Sequence, residues 1–325
     1  MKKILSVLMA VLLIIAVFSA CKSTEKAEEN VSAGKRVSET EGLKIVATTF
    51  PQYDWLREVL GEHIENTELI LLIDDGVDLH SFQPTVEDIA KVSDCDILVY
   101  TGGESDGWVQ DAIKTAKKGF CAISLVETLG NEGMHEHPHE HEPEHEHEVD
   151  EHVWLSLKNA GIICKAIEEK LSELDPKNAE DYRKNAEVYL EKLSKLDSEY
   201  ETAVSIASQN TVIFADRFPF IYLLDDYGLN YYAAFSGCSA ETEASFETIA
   251  FLSDKLSELG LSGLVVIETS DKSIARAILQ NSGSDKGEIF VMDSMQSVTL
   301  TDVKAGYTYL GTMEKNLEAL KGALK

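Results

Sequence analysis

The chain has 325 residues, of which 57 are acidic and 29 are lysine or arginine, so its formal net charge is −28. This excess of negative charge disfavours nucleic acid and acidic membrane surfaces as partners and favours cations. The five cysteines form no CxxC pair, which excludes a zinc ribbon and a thioredoxin-like motif.

Residues 1–20 have the pattern of a secretion signal. Two lysines precede an apolar run of about 15 residues, which is too short for a membrane span of about 20 residues. The small Ser19 and Ala20 end the run, Cys21 follows directly, and the next residues are polar and charged. We therefore predict a signal peptide over residues 1–20 and a flexible stalk over residues 21–42.

Residues 43–177 alternate β-rich runs with helical spacing and are predicted to form an N-terminal lobe. We predict its strands at residues 44–49, 69–73, 97–100 and 121–125, and its first helices at residues 53–60, 85–92 and 107–117. Thr85 is placed to cap the second of these helices, and Asp88 lies in the first turn of that helix. Such alternation predicts a parallel sheet covered by helices on both faces.

Two long helical patterns lead into a second lobe. The first covers residues 153–174. The second keeps a period near 3.6 for more than about 25 residues, or about 40 Å, which predicts a stiff interlobe helix over residues 178–207. Residues 208–325 then form the predicted C-terminal lobe, with strands at 211–215, 231–235, 264–267 and 288–292 and a last helix at 306–324. The predicted fold class is α/β, with two lobes, each a parallel sheet flanked by helices, joined by one long rigid helix.

Residues 133–149 alternate histidine with glutamate, and Asp150, Glu151 and His152 follow. Imidazole nitrogens are good ligands for zinc, copper and nickel, and interleaved glutamates keep the local electric field negative. Because this alternation offers no apolar face, the segment is not core. The pattern favours metal binding over the alternative, a solvated low-complexity loop.

Metal-competent side chains also follow the predicted strands, at the strand ends where open α/β sheets bind ligands. They are His80, Asp216, Cys238, Glu268 and Asp293. His152 lies at the start of the helix after the histidine-rich segment, and together these candidates come from both lobes. We predict a metal site in the cleft, with His80, His152, Asp293 and Asp216 as ligands. Asp216 could instead pair with Arg217, Glu268 fits a supporting or capping role, and Cys238 fits a buried thiol as well as a ligand.

Several motifs together resemble the metal-binding solute-binding lipoproteins of bacterial ABC transporters for zinc and manganese. Residues 78–85 read DLHSFQPT and match the family pattern D-x-H-S-[FY]-x-P-[ST], and residues 150–155 match D-x-H-[VI]-W-L. Residues 18–21 resemble a lipobox, with phenylalanine where leucine is more usual. The resemblance implies that His80, His152 and Asp293 bind metal and that lipid on Cys21 anchors the protein to the membrane. It also implies an ABC permease and its ATPase as partners.

One position departs from the family pattern. A third ligand, histidine or glutamate, usually opens the pattern [HE]-x-A-F-x-Y after the first strand of the second lobe. In the register that follows the strand, Ala215 occupies that position. The third ligand is therefore left open between Asp216, Cys238, a histidine of the loop and water.

The histidine-rich loop favours zinc over manganese, although two histidines and two carboxylates would also accept manganese. We predict a monomeric, extracytoplasmic, lipid-anchored carrier that takes up zinc in the cleft and delivers it to a permease. It is not predicted to be an enzyme, because no obvious base neighbours the histidine pair as a zinc hydrolase requires. The alternatives are a manganese carrier and a histidine-rich surface zinc buffer or adhesin.

Overall fold

Two parallel β-sheets organise the part of the chain that the structure, a computed structural model, describes: residues 42–130, 150–235, 237–238, 244–283 and 287–325. The signal peptide, the stalk up to residue 41 and the histidine-rich residues 133–149 of our prediction lie outside these described residues. The two sheets belong to one compact unit, Gly42–Lys325. The predicted α/β class with two parallel sheets is confirmed.

The N-terminal lobe is built on the first sheet. Its strands are Lys44–Ala47 (β1), Glu68–Leu71 (β2), Ile97–Tyr100 (β3) and Cys121–Ser124 (β4). They lie in the order β2-β1-β3-β4, and every residue of β3 is buried. Burial without alternation is typical of a parallel strand that is covered on both faces, which is the arrangement predicted from the sequence.

The helices of this lobe are Phe50–Leu60 (α1), Val86–Asp94 (α2), Val109–Ala112 (α3) and Leu125–Leu129 (α4). Helix α2 begins at its predicted cap, where the Thr85 hydroxyl accepts from the Asp88 N–H and the Asp88 carboxylate accepts from the Thr85 N–H. The helix predicted at residues 107–117 is shorter and ends in the 3₁₀ turn Ile113–Thr115. There a threonine hydroxyl donates to the Ala112 carbonyl and competes with helical hydrogen bonds.

Two long helices follow, Leu157–Leu174 (α5) and Ala179–Ser205 (α6). Helix α5 begins later than predicted because Val153–Leu155 forms a separate 3₁₀ turn and the Ser156 hydroxyl caps the helix by accepting from the Asn159 N–H. Helix α6 has 27 residues. At a rise of 1.5 Å per residue it is about 40 Å long, the length predicted for the interlobe helix.

The C-terminal lobe repeats the strand order of the first lobe. Its strands are Thr211–Phe214 (β5), Asn230–Ala233 (β6), Gly263–Ile267 (β7) and Glu288–Met292 (β8), in the order β6-β5-β7-β8. Its helices are Ile221–Asp226 (α7), Phe246–Leu259 (α8), Ser273–Asn281 (α9), Leu300–Lys304 (α10) and Tyr309–Ala323 (α11). Helix α10 was not predicted, and α11 begins later than predicted because the Thr308 hydroxyl caps it. None of the helices in the described ranges is long and apolar enough to cross a membrane.

A shared core joins the two lobes. Tyr309, the first residue of α11, packs edge-on against Trp55 of α1 with ring centroids 5.1 Å apart, and its hydroxyl donates to the Trp154 carbonyl at 2.6 Å. The Trp154 indole donates in turn to the Ser294 carbonyl at 2.9 Å. All three aromatic side chains are fully buried. These contacts hold the loops of one lobe in a defined place relative to those of the other.

Candidate metal centre

Two histidines from distant parts of the N-terminal lobe meet at the edge of the first sheet. His80 lies in the 3₁₀ turn Leu79–Ser81 after β2, where the Asp78 carboxylate accepts from the His80 N–H at 3.0 Å. His152 directly precedes the 3₁₀ turn at the start of the α5 region and is 1% exposed. The two Nε2 atoms are 3.1 Å apart. The structure therefore brings together the two histidines that carry the predicted motifs.

Cys238 of the C-terminal lobe completes a group of three metal-competent side chains. A ring nitrogen of His80, a ring nitrogen of His152 and the Sγ atom of Cys238 all lie within 4.8 Å of one another. Cys238 follows β6 beside Gly237, whose carbonyl accepts from the Phe218 N–H at 2.8 Å and so fixes the turn against the residues before α7. Among the described residues, no other group of three histidine, cysteine or acidic side chains is as close.

The outer nitrogens of both imidazoles are occupied. The Nδ1 atom of His152 lies 2.8 Å from an Asp150 carboxylate oxygen, which also accepts from the His152 N–H at 2.7 Å. The Nδ1 atom of His80 lies 2.9 Å from the Ser105 hydroxyl and 3.8 Å from a carboxylate oxygen of Glu151. When Nδ1 holds the proton for such a partner, Nε2 presents its lone pair, which is the usual arrangement of a histidine metal ligand.

Charge in the centre favours a thiolate. Burial raises the pKa of the Cys238 thiol, but His152 and His80 outweigh burial and lower the pKa to about 6. Burial lowers the pKa of His152, whereas Cys238 and Asp150 together raise it well above its ordinary value. The opposite charges of the two side chains therefore favour the charged form of each.

Gln296, in the loop after β8, also reaches the centre and was missed by the sequence analysis. Its amide oxygen lies 3.2 Å from His152 Nε2, and its amide nitrogen lies 3.7 Å from Cys238 Sγ and donates to the Ser294 hydroxyl at 3.1 Å. The side chain is 6% exposed. The feature of the sequence that could have identified Gln296 is its position shortly after the last strand, since open α/β sheets bind ligands at strand ends.

The two carboxylates predicted as ligands have partners of their own. One Asp293 oxygen accepts from the Met295 N–H at 2.8 Å and the other accepts from the Tyr307 hydroxyl at 2.6 Å. An Asp216 oxygen accepts from the Arg217 N–H at 2.8 Å. Neither belongs to the group of three side chains. The assignment of Asp293 and Asp216 as ligands stays a prediction.

Glu268, for which a supporting role or a capping role was predicted, contacts Ser294 in the loop after β8. Its carboxylate accepts from both the N–H and the hydroxyl of Ser294, at 2.9 and 2.8 Å. Burial raises its pKa to about 7, with a further contribution from Asp293. Glu268 thus holds the loop that carries Gln296.

The register of the strand puts Ala215 at the position of the third ligand, but the aromatic residues of the family pattern put Arg217 there. Phe220 and Tyr222 follow Arg217 with the spacing of the aromatic residues in [HE]-x-A-F-x-Y, so the pattern begins at Arg217. The Arg217 guanidinium donates to an Asp78 carboxylate oxygen of the other lobe at 3.1 Å. A positively charged side chain therefore occupies the position at which the pattern has a metal ligand. It pairs with Asp78, whose other oxygen accepts from the His80 N–H.

A family model described as "Zinc-uptake complex component A periplasmic" matches residues 45–323 of the chain. Zinc-binding protein AdcA of Streptococcus pyogenes serotype M1 is 31% identical over 335 aligned residues, which cover 99% of this chain and 61% of that relative. The high-affinity zinc uptake system protein ZnuA of Bacillus subtilis is 31% identical over 316 residues, which cover 95% of this chain and 96% of ZnuA. The chain therefore spans 61% of AdcA and nearly all of ZnuA.

The zinc-binding lipoprotein AdcA of Streptococcus pneumoniae is similar in sequence and in structure. Its sequence is 32% identical over 289 residues, which cover 86% of this chain and 55% of that relative. The solved structure of Zn(II)-bound AdcA superimposes with a TM-score of 0.70 at 32% identity, over 87% of this chain and 58% of that one. The likeness covers both lobes of the fold.

Proposed function

The chain belongs to the family of periplasmic zinc-uptake components, and we propose that it captures zinc in the cleft between its lobes and delivers the ion to the membrane permease of an ABC transporter. The observation that carries this proposal is the convergence of His80 and His152 of one lobe with Cys238 of the other. The family consists of transport components and not of enzymes, in agreement with the prediction that the chain is not an enzyme.

Zinc is the cargo that the donor set supports best. Two imidazole nitrogens, with a sulfur atom close by, are donors that zinc accepts readily, whereas manganese prefers oxygen. The names of the AdcA and ZnuA relatives refer to zinc. The manganese carrier remains the alternative within the same family, and it requires that Asp216 or Asp293 turn towards the ion.

The N-terminal residues 1–21 support a location outside the cytoplasm and a lipid anchor in the membrane. We propose that lipid on Cys21 anchors the chain, as the lipobox-like residues 18–21 indicate and as the name of pneumococcal AdcA suggests. The permease and its ATPase are then the partners, and the lipoprotein acts as a monomer. In this proposal residues 43–177 and 208–325 are the lobes, and residues 178–207 form the helix that joins them.

Calorimetric titration tests the proposal against the buffer alternative. We would titrate zinc and manganese into the soluble chain from Val37 onward, with and without residues 133–149, and into the His80→Ala variant. The control is His63→Ala, because His63 contacts Asp181 at 2.9 Å and lies outside the metal centre.

One tight zinc site that persists without the loop, persists in His63→Ala and disappears in His80→Ala is the expected result. Loss of all tight binding with the loop would overturn the carrier proposal and make the protein a histidine-rich buffer. A tight site for manganese in preference to zinc would replace zinc as the cargo.

A further inference from the structure

We propose that Cys238 binds the captured ion through its sulfur, so that the cleft is a two-nitrogen, one-sulfur site that selects thiophilic cations such as zinc, cadmium and cobalt over manganese. This inference rests on the proposed function, because it concerns the same cleft. It goes beyond that function by naming the third ligand and the class of metal that the ligand selects.

The spacing of the three donor atoms suits a single ion. Zinc–nitrogen bonds of about 2.0–2.1 Å and zinc–sulfur bonds of about 2.3 Å place the ligand atoms of a tetrahedral site roughly 3.3–3.6 Å apart. The Nε2 atoms of His80 and His152 are 3.1 Å apart, and the Sγ atom of Cys238 lies within 4.8 Å of both rings. Shifts of roughly 1.2 Å or less in the donor-to-donor distances therefore suffice to bring all three donors onto one ion.

The surroundings of the sulfur are those of a metal ligand rather than of a structural thiol. The amide nitrogen of Gln296 lies 3.7 Å from Cys238 Sγ, and Gln296 is held by the Ser294 hydroxyl at 3.1 Å. An amide donor that points at a thiolate supports its negative charge and fixes its orientation. Cys238 is also partly exposed, unlike a thiol of the apolar core.

Other cysteines in the described part of the chain provide the contrast. The Cys95 thiol is buried and donates to the Val92 carbonyl at 3.1 Å, and burial raises its pKa to about 12. Cys164 is buried within α5. These are thiols that the apolar core keeps protonated, whereas Cys238 lies beside two imidazoles.

A sulfur donor has a specific consequence for the metals that the site accepts. Thiolate is a soft ligand that binds zinc and cadmium strongly, while manganese takes oxygen ligands in preference. Cys238 therefore acts as a specificity residue. Its removal should reduce the discrimination between zinc and manganese and not only the affinity for zinc.

Cobalt(II) absorption spectroscopy tests the proposal directly on the whole mature chain. A thiolate bound to Co²⁺ produces a charge-transfer absorption in the near ultraviolet, which imidazole and carboxylate ligands do not produce. The histidine-rich loop contains no cysteine, so cobalt bound there does not contribute to this signal. We would titrate wild type, Cys238→Ser and, as the matched control, Cys121→Ser, which changes a cysteine of β4 outside the centre.

We expect one equivalent of Co²⁺ to give the band in wild type and in Cys121→Ser, and none in Cys238→Ser. Zinc affinity should fall at least about 10-fold in Cys238→Ser, since the loss of residues that merely support a ligand already has effects of about 10–100-fold. The ratio of zinc to manganese affinity should fall with it. Cys238→His should retain tight zinc binding without the band, because imidazole replaces the sulfur donor.

Tight stoichiometric Co²⁺ binding in wild type with no thiolate band would overturn the proposal and leave zinc capture by His80 and His152 intact. A band that persists in Cys238→Ser would also overturn it. By contrast, zinc and cobalt binding that does not respond to His80→Ala would show that the proposed function of the cleft is itself wrong.

Discussion

At the scale of single residues, the behaviour of the metal centre depends on the groups that hold the histidines. One Asp150 oxygen accepts from both the backbone N–H and the imidazole of His152, at 2.7 and 2.8 Å. Asp150 and His152 are both almost fully buried. A buried carboxylate that is hydrogen-bonded to Nδ1 of a histidine makes the Nε2 atom of that histidine a stronger metal ligand and adds negative charge close to the ion.

Asp150→Asn should lower zinc affinity about 10–100-fold, since the amide oxygen keeps both hydrogen bonds but not the charge. Competition with a chelator of known zinc affinity measures the change. The matched control is Asp181→Asn, which alters an aspartate paired with His63 on the surface at 2.9 Å. Equal zinc affinity in wild type and Asp150→Asn would contradict a supporting role for this carboxylate.

At the scale of the elements, the turn after β3 brings a second carboxylate towards His80. Gly102 and Gly103 have φ angles of 88° and 86°, in the left-handed region that favours glycine. A Cβ atom on Gly103 would lie 2.5 Å from the Glu151 carboxylate. That carboxylate accepts from the Ser105 N–H at 2.8 Å, so the turn and Glu151 together position the groups around His80 Nδ1.

Gly103→Ala should lower the free energy of unfolding by about 1–3 kcal/mol and weaken zinc binding, since it combines backbone strain with displacement of Glu151. Gly119→Ala is the matched control, because Gly119 also has a φ of 88° but its added Cβ would meet no atom within 4 Å. Urea unfolding and zinc competition would be measured on both. If the two variants lose the same stability and both keep full zinc affinity, the close approach of Glu151 has no role.

At the scale of the whole molecule, an ion pair joins the two lobes beside the metal centre. The Arg217 guanidinium of the C-terminal lobe lies 3.1 Å from an Asp78 oxygen, while the other oxygen of Asp78 caps the turn that carries His80. The side chains are 26% and 17% exposed, so water screens the pair only in part. The pair links the position of His80 to the position of the C-terminal lobe.

A double-mutant cycle with Arg217→Met and Asp78→Asn should give a coupling free energy of about 0.5–1 kcal/mol in unfolding experiments. The coupling should shrink at high salt because the pair is partly exposed. Lys195 and Glu199 of α6, at 3.6 Å and with exposures of 80% and 49%, serve as the comparison pair and should show less coupling. Coupling that is absent at low salt, or that does not change with salt, would argue against an electrostatic link between the lobes.

Much of the architecture followed from the sequence because it depends on local interactions. Helical period and strand composition placed the strands of the described ranges close to their observed bounds, and the Thr85 cap placed the start of α2. The motifs around His80 and His152 identified the two histidines that meet at 3.1 Å. Helix ends were less accurate where a side chain decides the boundary, as the Ser156 hydroxyl does for α5.

The rest of the metal centre was decided by tertiary structure. Cys238 and Gln296 reach the histidines because the loops after β6 and β8 pack against the loops of the N-terminal lobe, with Trp154, Tyr309 and the shared core fixing the distance. Asp293 binds the Tyr307 hydroxyl because the segment before α11 folds back onto it. Capping and periodicity act over a few residues and can be read from the sequence. Which side chains meet across a cleft depends on how two sheets are placed by a common core, which local sequence does not encode.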